Sequence, residues 1–152
     1  YLHMKKKIIL MFGTFDILHP GHAVLFKQAR KKNTTITVIL ARDLTVKQLK
    51  KHLPMFSERV RKRNLEKTGW VENVLLGSLK DKYNALKKIK PDIIYLGYDQ
   101  KYFVDELSKK LKLFNLKTKI LRLKPFKPNT YKSSILKRYV RHKIHQGKPR
   151  TN

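Results

Sequence analysis

Gly13-Thr14-Phe15-Asp16-Ile17-Leu18-His19-Pro20-Gly21-His22 joins two stretches of different periodicity. Before it, Ile8-Ile9-Leu10-Met11-Phe12 is an unbroken apolar run, short enough for a buried strand. After it, Leu25, Phe26 and Ala29 recur at helical spacing. The two histidines are therefore predicted where a strand ends and a helix begins, which in an open α/β sheet is the ligand-binding edge. A helix start offers free N–H groups and a partial positive charge, which suits phosphate. Gly13 lets the backbone approach a ligand closely, and Gly21 lets the helix begin tightly against it. His19 and His22 are three apart, so both can face one ligand; as a plainer alternative they form only a helix cap.

Outward from this stretch, strands and helices alternate. Strand one is expected over 7–12, the first helix over 21–32, and a β-branched strand over Thr35–Ala41. Successive strands separated by a helix imply a right-handed parallel crossover. Arg42 to His52 reads as a polar connection ended by Pro54. Ser57 is a candidate N-cap for a helix running to Thr68, with Gly69 as its stop. Strand three follows over Val71–Leu76, a helix near Lys80–Lys90, strand four over Asp92–Leu96 and strand five over Thr118–Leu123. Phe103, Leu107 and Leu111 form a helical stripe expected to be core. Pro125 and Pro128 stiffen a loop before a last helix that opens at Ser133-Ser134. The reading is one α/β domain over 5–140, followed by a basic tail over 141–152 expected to be frayed. Tyr1-Leu2-His3 ahead of Met4 reads as a cloning remnant.

Composition bounds the function. The 152 residues are 41% hydrophobic, enough for a packed core. No apolar run approaches the ~20 residues that span a bilayer, and no secretory signal is visible, so the expected setting is cytoplasmic with no membrane partner. The absence of cysteine excludes disulfides, thiolate metal sites and cysteine nucleophiles. Lys+Arg number 37 against 10 for Asp+Glu, a formal charge of +27 that attracts anions of every size. The basic residues are spread along the whole chain, so binding of nucleic acid is expected to be non-specific.

The decapeptide resembles the GTFDxxHxGH motif of the cytidylyltransferase-like nucleotidyltransferases, in both histidines and both glycines. The resemblance covers roughly residues 5 to 140. It implies a Rossmann-like domain with a five-stranded parallel sheet, and transfer of a nucleotidyl group by in-line attack at an α-phosphorus with loss of pyrophosphate. No side-chain nucleophile is needed, because the acceptor phosphate is one. The resemblance further implies phosphate contacts from His19, His22 and a lysine-bearing loop after strand two, where Lys47 and Lys50 stand. Gly13, Thr14, Phe15 and Gly21 would cradle the nucleotide. An arginine early in the next helix aligns best with Arg61, with Arg59 and Arg63 as rivals. Gly97-Tyr98-Asp99-Gln100 matches the segment that lines the base, and Ser133 and Ser134 match the Ser/Thr cap that touches phosphates. It implies Mg²⁺ or a similar divalent ion carried on the nucleotide with no dedicated protein ligands, and a homodimer.

Two departures stand out: Lys127-Pro128-Asn129-Thr130 replaces the family's basic lead into the Ser/Thr cap, and Arg141–Asn152 is longer than the usual ending. Asp16 and Asp43 are further polar candidates, Asp16 being read as a turn cap. His3, His52, His142 and His145 are read as surface residues. Leu96-Gly97-Tyr98-Asp99-Gln100 and Gly77-Ser78-Leu79 look most like the archaeal-type FAD synthases, which join AMP from ATP to FMN. Transfer from CTP to glycerol 3-phosphate or a related phospho-alcohol is the alternative. A nucleic-acid-binding module on a degenerate nucleotidyltransferase fold is the alternative of another class.

Overall fold

A computed structural model of the chain describes residues 5–98, 100–101, 104–124 and 149–150. The elements run β1 (Lys7–Gly13), α1 (Pro20–Ala29), β2 (Thr34–Leu40), α2 (Asp43–Lys50), α3 (Glu58–Thr68), β3 (Asn73–Leu76), α4 (Asn84–Ile89), β4 (Ile93–Leu96), α5 (Leu107–Leu113) and β5 (Lys119–Arg122). The strands form one parallel sheet in the order β3-β2-β1-β4-β5. Its central ladder pairs Lys7 with Thr34 through to Gly13 with Leu40.

Alternation along the strands feeds two cores. Ile9, Met11, Ile36, Val38, Leu40 and Tyr95 pack on one face with Phe26 and Ala29 of α1 and Leu65 of α3. Leu10, Ile39, Ile94 and Leu96 pack on the other with Leu86 of α4 and with Leu107 and Leu111 of α5. Strands buried on both faces read as continuous apolar runs, which is why β1 and β2 are so plain in the sequence. Each aliphatic side chain taken from water in this way stabilises the fold by roughly 1.5–3 kcal/mol.

The structure departs from the sequence expectations where long-range contacts or turn chemistry decide. Arg42–His52, expected as a connection, contains α2. Only Val46 of that helix is buried, so its hydrophobic signal is faint. Its start is held from outside: the Asp43 amide donates to Glu58 Oε1 at 3.0 Å, and the Glu58 amide donates back to Asp43 Oδ2 at 3.3 Å. α4 is shorter than expected because Ser78 Oγ accepts from the Lys80 and Asp81 amides and Asp81 accepts from the Tyr83 amide, which holds this stretch in turns. α1 stops at Ala29, and Thr34 Oγ1 then ties the Lys31 turn. α3 has the expected ends: Ser57 accepts from the Val60 amide, and Gly69 takes φ 70°. The stripe residue Phe103 and the last helix from Ser133 lie outside the described residues. Of the tail expected to be frayed, Arg150 is placed: its amide donates to the Met55 carbonyl at 2.6 Å, and its guanidinium pairs with Asp43.

Candidate active site

β1 sends its crossover through α1 to β2 on one side, while β4 flanks it on the other. The carboxyl ends of β1 and β4 are therefore the topological switch point of the sheet. A cleft of about 690 Å³ opens there, floored by Gly13–Asp16 and Ile39–Arg42 and bounded by α2, Gly77-Ser78 and Gly97.

The decapeptide shapes the cleft through one unusual backbone angle. Phe15 takes φ 46°, a left-handed conformation that a bulky side chain adopts only when its surroundings demand it. The turn folds its ring back over Gly13, where a Cβ would lie 2.7 Å from Phe15 Cε2. The same ring meets His22 edge-on at 5.3 Å and Phe26 at 5.2 Å. Gly13 is thus required by the ring above it, and Phe15 wedges the site onto the core.

The histidines do cap the helix, and the capping fixes their chemistry. His19 is the N-cap of α1, and its Nδ1 accepts from the Gly21 amide at 3.0 Å. His22 Nδ1 accepts from the His19 amide at 3.2 Å. An imidazole nitrogen that accepts an N–H carries no proton, so both neutral rings carry theirs on Nε2. The rings stack at 3.9 Å. Burial pushes the His19 pKa down; burial, then the neighbouring His19, push His22 down to about 3. At neutral pH the pair is two uncharged, oriented Nε2–H donors at the positive end of a helix.

Beneath them lies a clamp of buried charge. Arg61 has no solvent exposure. Its guanidinium donates to the carbonyls of Phe56 (3.1 Å), Thr14 (2.9 Å) and Ala41 (2.8 Å) and to Asp43 Oδ1 (2.9 Å). Partial burial pushes the Asp43 carboxyl up, but bonds from Arg61, the Glu58 amide and Arg150 outweigh it and hold it below its ordinary value. Asp16 accepts from the Met55 amide at 2.7 Å and the Phe56 amide at 2.9 Å, tying the motif to the loop before α3.

Gly13, Thr14, Phe15, His22, Lys50, Gly97 and Gln100 line the cleft together. Gly21 is buried under the His19 ring it bonds. His19 stacks ring to ring on His22, beside the cleft wall rather than in it. Lys47 is exposed and outside the wall, as is Tyr98, which is 54% exposed. Arg61, aligned with a nucleotide-contacting arginine, instead faces four protein acceptors beneath the cleft. Asp99, Ser133 and Ser134 lie outside the described residues. His52, read as a surface residue, lines the cleft, as do Arg42, Lys82 and Lys101, which no motif marked.

Arg122 is a residue the sequence reading missed. Gln100 Oε1 accepts from the Gly97 amide at 3.1 Å, closing a turn at the end of β4. Arg122 Nη1, one strand over, donates to both Gly97 O (2.7 Å) and Gln100 O (2.9 Å). The only local signal was a basic residue ending an edge strand. Arg122→Ala is expected to raise the nucleotide KM by about tenfold, the effect of ~1.4 kcal/mol, with kcat little changed. Steady-state kinetics with varied nucleotide measures it.

A parallel α/β sheet with a histidine-capped helix at its switch point defines a nucleotide-handling domain that works on phosphates. The cytidylyltransferase-like family model matches residues 10–139, and the chain belongs to that family. It is 41% identical over 137 residues to a protein named FAD synthase from Methanohalophilus mahii, covering 89% of this chain and 95% of that protein. It is 39% identical over 118 residues to one of the same name from Aciduliprofundum boonei, covering 78% of each. A solved lipopolysaccharide core biosynthesis protein from Thermoplasma volcanium superposes with a TM-score of 0.72 at 33% identity, over 79% of this chain and 98% of that one. A pantoate-beta-alanine ligase from Francisella tularensis shares the fold, with a TM-score of 0.55 at 17% identity over 88% of this chain and 68% of that one.

Proposed function

We propose that this chain is an FMN adenylyltransferase, joining AMP from ATP to FMN. The observation that carries the chemistry is the pair of neutral histidines whose Nδ1 atoms are committed to backbone amides, leaving Nε2–H donors at a phosphate-binding helix start. The relatives named FAD synthase carry the choice of substrates.

A phosphate oxygen of FMN attacks the α-phosphorus of ATP. An O–P bond forms, the bond to the β-phosphate bridging oxygen breaks, and pyrophosphate leaves with that electron pair. His22 and His19 donate to phosphoryl oxygens as charge builds on them, and Lys50 adds positive charge from the cleft wall. No proton need be removed from the acceptor, since an FMN phosphate is already ionised at neutral pH. Gly97 and Gln100 line the same cleft, and the base would be held against them.

Among the described residues no group of His, Asp or Glu forms a metal cage. Asp16, in the cleft wall, is engaged by two amides, and Asp43, outside it, by Arg61 and an amide. A divalent ion carried on the nucleotide phosphates would supply charge neutralisation there.

Pyrophosphate release tests the reading across ATP and CTP, crossed with FMN, glycerol 3-phosphate and phosphocholine. Turnover is expected with ATP and FMN, and chelation of divalent ions is expected to abolish it. Turnover confined to CTP with a phospho-alcohol overturns it. No helix among the described residues is long and apolar enough to cross a membrane.

A further inference from the structure

The two halves of the cleft differ in chemistry. The half between β1 and β4 carries the paired histidines, Gly97 and Gln100, and takes the nucleotide under the reading above. The other half lies over β2 and is walled by α2 and the loop that precedes α3. There the cleft is lined by Ile17, Val46, Leu49 and Pro54, with Lys50 and His52 among them.

Several large apolar side chains are exposed around this half. Leu49 is 49% exposed and Ile17 42%, and both face the cleft. Leu53 and Met55, at 42% and 49%, flank Pro54. Single exposed aliphatics mean little, but several around one mouth, set against cations, mark a binding surface. The surface is also held still. Asp16 bonds the Met55 and Phe56 amides, and Asp43 and Glu58 cap the starts of α2 and α3 reciprocally. A wall fixed in this way loses little freedom when it is covered.

We infer that the apolar wall of Ile17, Leu49 and Pro54 is the acceptor subsite, and that it holds the flat isoalloxazine ring of the flavin. The inference rests on the flavin-acceptor reading above and adds the place where the ring docks. The ring's faces are broad and apolar, while its edge carries carbonyls and an imide N–H. His52 Nδ1 lies 3.1 Å from the Leu53 carbonyl, which can only accept, so Nδ1 holds the proton of the neutral ring and Nε2 is left as an acceptor. Lys50 supplies a donor beside it. A phospho-alcohol such as glycerol 3-phosphate has no face to cover this wall, so the wall selects for the flavin.

Fluorescence titration of the full chain with FMN and with riboflavin, alongside calorimetry with ATP, tests this. Leu49→Asp places a charge on an exposed position of α2 and is expected to weaken both flavins by at least about tenfold while leaving ATP affinity unchanged. Leu49→Met is expected to bind like the parent. Riboflavin lacks the phosphate, so a matching loss for both ligands locates the effect at the ring. If the parent binds flavin and Leu49→Asp binds it equally well, the subsite is overturned while the adenylyltransferase reading stands. If the parent binds ATP but neither flavin, the acceptor reading fails and takes the subsite with it.

Discussion

His22→Gln or His19→Asn lowers turnover by ~10²–10³ while the protein remains folded, the cost of losing one donor to a developing oxyanion. These two substitutions separate capping from catalysis. In a capping box the N-cap side chain accepts from the first-turn amides, and glutamine at the fourth position bonds the N-cap amide. In His19→Asn the new amide oxygen takes the place of His19 Nδ1 as acceptor for the Gly21 amide. In His22→Gln the longer amide oxygen likewise replaces His22 Nδ1 as acceptor for the His19 amide. The helix start is kept, and each variant exchanges an Nε2–H donor fixed by ring stacking for an amide NH2 that no stacked ring holds in that place. Single-turnover kinetics beside a thermal melt measures both. Near-normal turnover in two folded variants would leave the histidines as caps alone.

The acid behaviour of the pair follows from the same burial. With His22 held down to about 3, the parent's turnover shows no acid limb from that ring near the ordinary pKa of 6.5, and a limb from His19 lies below 6.5. Stability carries the complementary sign. Unfolding returns His22 to 6.5, so below that pH the unfolded chain binds the proton first. The contribution is complete above 6.5 and declines as pH falls from 6.5 toward about 3. His22→Gln therefore flattens the melting temperature over that window.

What the sequence made legible were features with local causes. β1 and β2 are continuous apolar runs because both faces of the sheet are covered, and α3 carries its own cap and stop in Ser57 and Gly69. α2 was hidden because one buried residue, Val46, gives no periodicity, and its cap comes from Glu58, which is fifteen residues away. The site divides along the same line. The decapeptide announces itself, since the motif's spacing is the spacing of a helix start. Arg122 and Asp16 act through contacts 25 and 39 residues distant, and nothing around them in the sequence points to those partners. Lys47 and Lys50 were equivalent as letters. Only the rotation of α2 about Val46 turns Lys50 to the cleft and leaves Lys47 outside its wall.

Arg61, given a nucleotide contact by the resemblance, is fully buried on protein acceptors, and its replacement has the largest expected effect on stability. An arginine with no exposure is tolerable only if its charge and donors are met, and here three carbonyls and one carboxylate meet them. Those acceptors come from four places: the motif turn at Thr14, the end of β2 at Ala41, the first turn of α2 at Asp43, and the loop at Phe56. Arg61→Met removes every bond at similar volume and leaves carbonyls and a carboxylate short of partners. Breaking a buried charged network from one side costs about 3–5 kcal/mol. For a chain of this size that lowers the melting temperature by roughly 6–20 °C. The Asp43 carboxyl loses the bond from Arg61 that does most to lower it, so its pKa rises, and carbon-detected NMR titration reads that directly. Lysine at this position keeps the charge but not the fork, and so restores little of the loss. Because two of the four acceptors, Thr14 and Ala41, line the cleft, kcat and the nucleotide KM both worsen in whatever fraction stays folded. An arginine that instead reached the nucleotide would raise KM on substitution and leave the melting temperature where it was. That result would show that Arg61 leaves its buried position to bind substrate, and would return it to the role the resemblance implies.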